Sequence, residues 1–188
     1  MMSIIEKKIL NSIIFFASKS QSGTINRLKL MKLLWLADRI HLNRFGRLIL
    51  RDNYNALPNG PVPSKTMDVS KQTVENAFDV KDYHIVVKGD FDSKYFSKSD
   101  IDVMEQVWEK YGKMNQYELR DFSHKFPEWM RYEKELNSKY LPNSYPIIID
   151  DFFSSPSNDL DYQYNAEESD KSKLNFHSYT SILSNLSE

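Results

Sequence analysis

Apolar residues fall at helical spacing over much of the chain. In residues 3–18, Ile5, Ile9, Leu10, Ile13, Ile14 and Phe16 recur on one face, with the polar positions grouped opposite. Ser22-Gly23 breaks that run, and Asn26 precedes a denser one. Over residues 27–45, Leu30, Met31, Leu33, Leu34, Trp35, Ala37 and Leu42 spread over a broad arc, and Gly46 follows as a helix terminator. Such a helix is covered on most sides and belongs at the centre of the fold. Lys29, Lys32 and Arg39 share the narrow face left over. Asp52–Leu57 reads as a short strand, and Asn59-Gly60 as a turn. Pro63 or Ser64 opens a helix through about Ala77. Tyr83–Val87 and Phe91–Phe96 favour β structure and, with Lys88-Gly89-Asp90 between them, predict a hairpin.

Farther along, Ser99–Asp102 has the hydroxyl and the acids of a helix start, and Ile101, Met104, Trp108 and Tyr111 then share a face to Gly112. Asn115 with Glu118 predicts a capping box on a helix to about His124. Phe126–Trp129 begins another short helix, and Ile147–Phe153 is apolar enough to dock onto the core. After Phe153 the composition changes. Residues 154–158 read as a linker, Asp159–Ser172 is polar and acidic, and Leu174, Phe176, Tyr179, Ile182, Leu183 and Leu186 predict an amphipathic helix. Alone it is marginal. It is expected to dock on the parent domain, the other choice being the basic cleft of a partner. The fold expected is α+β, mostly helical: one compact domain over residues 1–153 around the central helix, with a small antiparallel sheet and a C-terminal extension over 154–188.

The apolar and aromatic content, 40% and 13%, argues for a packed core. With no cysteine, disulfides and thiolate chemistry are excluded. No signal-peptide pattern or spanning apolar run is present, so the expected location is cytoplasmic, with no membrane partner. The net charge of −1 hides an asymmetry: Arg27–Arg51 carries seven basic residues and one acid, Asp38, whereas Asp150–Asp170 carries seven acids and no base.

Asp38 falls inside the apolar arc near Leu34, with His41 one turn on. The pair reads either as acid/base or metal chemistry or as a structural carboxylate tying a loop to the helix, and the structural reading is preferred. The histidines show no zinc spacing, and His124 sits at a helix end that favours a cationic imidazole. No phosphate loop or nucleophile elbow occurs. Catalysis, cofactor and metal are therefore not expected. Arg39, Arg44, Arg47 and Arg51 could touch phosphates, but the aromatic–glycine pattern of single-strand binders is missing, and nucleic acid is a disfavoured partner. Pro61 and Pro63 stiffen the Gly60–Pro63 elbow, which could serve as a preorganised recognition loop or only deliver the next helix.

The order of these features resembles the Panacea domain family, the SocA-like, phage-associated antitoxins. Lys29–Asp38 match its K-L-x-K-L-L-Y-L-A-like helix and Gly60–Pro63 its Y-G-P-V-P-like turn, with Asn59 where an aromatic is usual. Tyr111-Gly112, Leu119 with Ser123-His124, Pro127 with Trp129, and Ile147–Phe153 continue the order. The resemblance implies a non-enzymatic antitoxin that binds and neutralises a cognate protein toxin. Its alternatives are an adaptor delivering the toxin to a protease, and a DNA-binding regulator of a mobile element. The expected partner surface is Arg44, Arg47, Tyr54 and Asn59, Gly60, Pro61, Val62 and Pro63. Asp38, Trp35, Trp108, His124 and Trp129 are expected to be structural.

Overall fold

The computed structural model describes residues 2–156 and 165–185. It is mostly helical α+β, as expected. Helix α1 (Ile4–Lys19) starts at a capping box, with Ser3 Oγ accepting from Glu6 N and Glu6 Oε2 accepting from Ser3 N. It buries Ile9, Ile13, Ile14 and Phe16. Strand β1 (Thr24–Asn26) leads into the central helix α2 (Arg27–Phe45), whose cap, Asn26, accepts from Leu28 N at 2.9 Å. Helices α4 (Lys98–Tyr111), α5 (Gln116–Ser123) and α8 (Ala166–Asn185) surround α2 together with α1. Leu30, Met31, Leu33, Leu34, Trp35 and Leu36 are all inaccessible to solvent.

Two three-stranded antiparallel sheets flank this bundle. In one, β1 pairs β5 (His84–Val87), which pairs β4 (Phe78–Lys81). In the other, β2 (Tyr54–Leu57) lies between β3 (Gly60–Pro63) and β6 (Tyr145–Pro146). Short helices α3 (Ser64–Val69), α6 (Pro127–Met130) and α7 (Glu133–Leu136) complete the order.

Three expected elements are corrected. Helix α3 stops at Val69, because buried Ser70 folds its hydroxyl onto Met67 O at 2.7 Å. The hairpin pairs Tyr83–Val87 not with Phe91–Phe96 but with residues 78–81, through a turn at Asp82 with φ 53°. Phe78 is the fully buried anchor of that pairing. Phe91 and Phe96 pack on each other, and Phe91 also against Phe15, their segment holding only a 3-10 turn at Ser93–Tyr95. Helix α4 is capped by Ser97 rather than Ser99, since Asp100 completes a box with it.

Between Leu30 and Asn43 the polar groups of α2 are as buried as the apolar ones. Lys32 and Arg39, expected on a narrow polar face, are fully buried. Arg39 Nε donates to Glu128 Oε1 at 2.9 Å, and Trp35 Nε1 donates to the same oxygen. Burial raises the Glu128 carboxyl against the pull of Arg39. His41 does not meet Asp38. Its Nδ1 contacts Arg47 O at 2.8 Å, and Nε2 faces Ser99 Oγ and Asp100. Asp38 instead accepts from Ile49 N (2.6 Å), Leu50 N (3.1 Å) and Tyr54 Oη (2.7 Å), which pins the loop after α2 to the helix.

Helix α8 docks where α2 ends. Ser169 Oγ donates to Asn43 Oδ1 at 2.6 Å, Asn43 Nδ2 donates to Phe152 O, and Phe176 meets Phe153. Lys173 and His177 both face Asp150 at 3.2 Å. The contact face is thus Ser169, Ser172, Lys173 and Phe176. Leu174 and Ile182, expected in the apolar seam, are exposed, and Tyr179 reaches only toward Arg51. The acids Asp159 and Asp161 and the apolar Leu186 lie outside the described residues.

Burial pushes the Asp38 carboxyl from 3.8 up to about 7, against the pull of Tyr54 and the two N–H groups. The folded chain then keeps a proton that the unfolded chain has released, so stability falls as pH rises from about 4 to about 7. Asp38→Asn should remove that fall. The melting temperature of the wild type minus that of the variant should decline across the window and be level on either side. A difference that rises instead would mean that the three donors hold an ionised carboxylate.

Gly46 ends α2 at φ 66°, and a Cβ there would stand 2.8 Å from Ser172 O. Gly46→Ala should cost about 1–2 kcal/mol from the left-handed backbone alone and push α8 away. Trypsin cleavage at Lys171 and Lys173, timed against the wild type, should accelerate. Equal rates would show that α8 absorbs the methyl group.

Candidate partner-binding cleft

The β2–β3 hairpin places Pro58 and Asn59 at its tip. Its first strand alternates, with Tyr54 and Ala56 buried, whereas every residue of β3 is buried. Two prolines in β3 remove backbone donors, and buried carbonyls still need partners. Side chains supply them. Trp129 Nε1 donates to Leu57 O at 2.9 Å, Lys32 Nζ donates to Pro61 O at 2.7 Å, and the His124 ring donates to the Pro58 carbonyl. Three carbonyls around one turn are thereby clamped from α2, α5 and α6.

The electrostatics of the clamp are unusual. Burial holds the Lys32 ammonium well below its ordinary range, and no carboxylate pairs with it among the described residues. Burial, then the Lys32 and Arg120 charges, lower His124 to about 4. The imidazole is neutral, which corrects the expectation of a cationic helix cap. It stacks on Trp129 with 3.6 Å between ring centroids and 5° between planes, and its Nε2 is buried without a hydrogen bond.

The tip borders a cleft of about 740 Å³. Leu28, Leu57, Val62 and Met67 give it an apolar base. Asn26 and Arg27 from the start of α2, Tyr83 and His84 from the β4–β5 turn, Gln116 and Tyr117 from α5, and Asn143 form the rest of its wall with Pro58 and Asn59. Tyr83 and Tyr117 are 71% and 57% exposed, and the Arg27 guanidinium lies 5.7 Å from the Tyr83 ring centroid. A second hollow of about 430 Å³ shares Asn26, His84 and Gln116 with the first and continues past Lys29 and Trp108. Among the described residues no group of acids and histidines could hold a metal ion. No helix there is long and apolar enough to cross a membrane.

A model of the antitoxin SocA-like, Panacea domain matches residues 30–130, more than half of the chain. The chain belongs to this family. No curated protein and no solved structure was found to match it.

Of the surface expected from sequence, the Panacea fold leaves only part on the outside. Asn59 lines the cleft and the buried Val62 contributes to its base, while Tyr54, Gly60, Pro61 and Pro63 are interior, so the elbow is not the exposed loop expected. The physical reason is the clamp, which draws the second strand inward. Arg44 and Arg47 sit at the far end of α2, about 25 Å from its start at 1.5 Å per residue. Arg47 Nη2 is 2.7 Å from Asp100 Oδ1 and also donates to Ser97 Oγ, while Lys8 holds Oδ2 at 2.8 Å. Burial raises the Asp100 carboxyl, but Lys8, the Ser97 N–H and Arg47 outweigh it, and the carboxyl lies below its ordinary range. Arg44 donates to Gln106 Oε1. Trp35, Trp129 and Asp38 are interior, and Trp108 is half-buried beneath Lys29. The sequence reading missed Arg27, Tyr83, Tyr117 and Asn143. Its one available signal was a tyrosine at a turn, Asp82-Tyr83.

Gly60 has φ 95°, and a Cβ there would stand 2.7 Å from Lys32 Nζ and closer still to Ser123 Oγ. Gly60→Ala should destabilise the protein by roughly 2–4 kcal/mol from backbone strain and overpacking, measured by urea unfolding. A loss below about 1 kcal/mol would mean that the hairpin shifts freely and is not clamped.

Proposed function

We propose that this protein is an antitoxin that neutralises a cognate protein toxin by stoichiometric binding, with the cleft at the hairpin tip as its contact surface. The observation that carries the reading is membership of the Panacea family together with the composition of the cleft. Exposed tyrosines, an arginine, a methionine and several amides around a preorganised hairpin tip are the mix that protein recognition surfaces favour. Tyr140 and Leu141, three and two residues before Asn143 in the chain, are exposed as well.

Co-expression with the product of the adjacent gene should restore growth and yield a complex by size exclusion. Tyr83→Ala and Tyr117→Ala should each weaken that complex by about 2 kcal/mol, or roughly 30-fold. Folding stability should change by less than about 0.5 kcal/mol, since both rings face solvent. Rescue by a trace of this protein with no complex would mean turnover and overturn the reading.

A further inference from the structure

The two hollows adjoin at Asn26, His84 and Gln116, and the groove they make together has a one-sided charge. Arg27, Lys29 and Lys113 line it and no carboxylate does, in a protein with 26 acids against 25 bases. Arg27 reaches Ser70 O at 3.4 Å and Lys29 reaches Gly112 O at 2.6 Å, both neutral acceptors. None of the three makes an ion pair among the described residues. Glu118 is near enough to support the Lys29 charge, but its carboxylate is engaged by Asn115 N at 2.7 Å. Partial burial still lowers Lys29 from its ordinary value, so an incoming anion would relieve it.

The remaining lining consists of His84, the hydroxyls of Ser20 and Thr24, Gly112, and a set of amides and apolar or aromatic groups. An amide offers both a donor and an acceptor, which matches a peptide unit. The apolar bases of the two hollows, around Met67 in one and Trp108 with Met114 in the other, offer successive seats for side chains of an extended chain. We propose that the groove binds an extended acidic polypeptide segment of a partner protein, its carboxylates facing Arg27, Lys29 and Lys113. Charge complementarity selects the acid, and the amides select a polypeptide. Nucleic acid fits less well. Three cations neutralise few phosphates, and phosphate contacts supply most of the affinity for nucleic acid. The inference rests on the antitoxin reading only for the identity of the partner as a toxin.

The test uses the full chain and three fluorescent probes: a 12-residue peptide of Glu and Leu, its Lys-for-Glu counterpart, and a 12-nucleotide oligothymidine. Anisotropy should show binding of the acidic peptide, weakening in high salt. The Arg27→Glu/Lys113→Glu double variant should lose at least about tenfold in affinity, while Lys134→Glu on α7 changes nothing. Arg27 also touches Ser70, so Lys113→Glu alone, at an exposed position, is the second variant and should weaken binding in the same direction. Equal binding of the basic peptide, no effect of either groove variant, or tighter groove-dependent binding of oligothymidine would each overturn the proposal. The same variants separate it from the antitoxin reading. If they still neutralise the toxin at full affinity, the acidic-segment proposal falls and the antitoxin reading stands.

Discussion

A central helix that is buried over most of its length, from Leu30 to Asn43, has to satisfy the polar side chains of that stretch from inside the protein. Helix α2 meets that constraint by turning each one into a tie to another element. Asp38 holds the Ile49–Leu50 loop and Tyr54, Arg39 holds Glu128 of α6, Asn43 holds the Phe152 carbonyl and Ser169 of α8, and Lys32 holds the β3 backbone. An unpaired buried polar group costs about 1–3 kcal/mol. Each tie is therefore a strong preference for one arrangement of the surrounding layers. The apolar face of α2 drives collapse, and its polar residues determine which collapsed arrangement forms.

The hairpin shows how that preference reaches the cleft. Residues 58–63 include three prolines, so the segment is poor in donors and rich in carbonyls. A hairpin of that composition would be a weak element alone. Clamped by Lys32, His124 and Trp129, it becomes a fixed edge against which Asn26, Arg27 and Tyr117 are set. The lowered Lys32 ammonium and the neutral His124 imidazole follow from the same geometry, because burial behind the turn disfavours both cations and the Lys32 charge also acts against a charge on His124. Rigidity at the tip lowers the ordering entropy lost on binding.

Much of the fold was legible because helix signals are local. The capping box at Asn115, the glycine after α2 and the apolar arc of α2 each depend on residues a few positions apart. The cap of α4 lies two residues before the serine expected there, since Ser97 and Ser99 offer the same hydroxyl and only Asp100 decides between them. Strand pairing was less legible. Phe91–Phe96 has strand-like residues, but Phe91 packs against Phe15 and Phe96 against Phe91, and the first of these contacts is invisible to local propensity. The polar residues of α2 were misread for a related reason. A lysine or arginine on a narrow face is ordinarily solvated, and only the donor-poor hairpin and Glu128 draw Lys32 and Arg39 inward. The cleft was least legible of all, because it assembles single residues from the starts of two helices, a two-residue turn and a loop near β6.

That construction separates what holds the fold from what lines the cleft proposed to meet a partner. The clamping side chains Lys32, His124 and Trp129 lie within residues 30–130, the matched segment, and so do the hairpin, Tyr83 and Tyr117. Asn26, Arg27, Leu28 and Asn143 lie outside it and complete the wall. Tyr83 and Tyr117 project into solvent from backbone that is fixed by other contacts: the β4–β5 register and the Asn115 cap. Changing such a side chain leaves the ties of α2 intact, whereas changing Lys32 or Gly60 disturbs the tie itself. The rim can therefore be altered without a change of fold, which is the property a scaffold needs if the same framework is to recognise different partners.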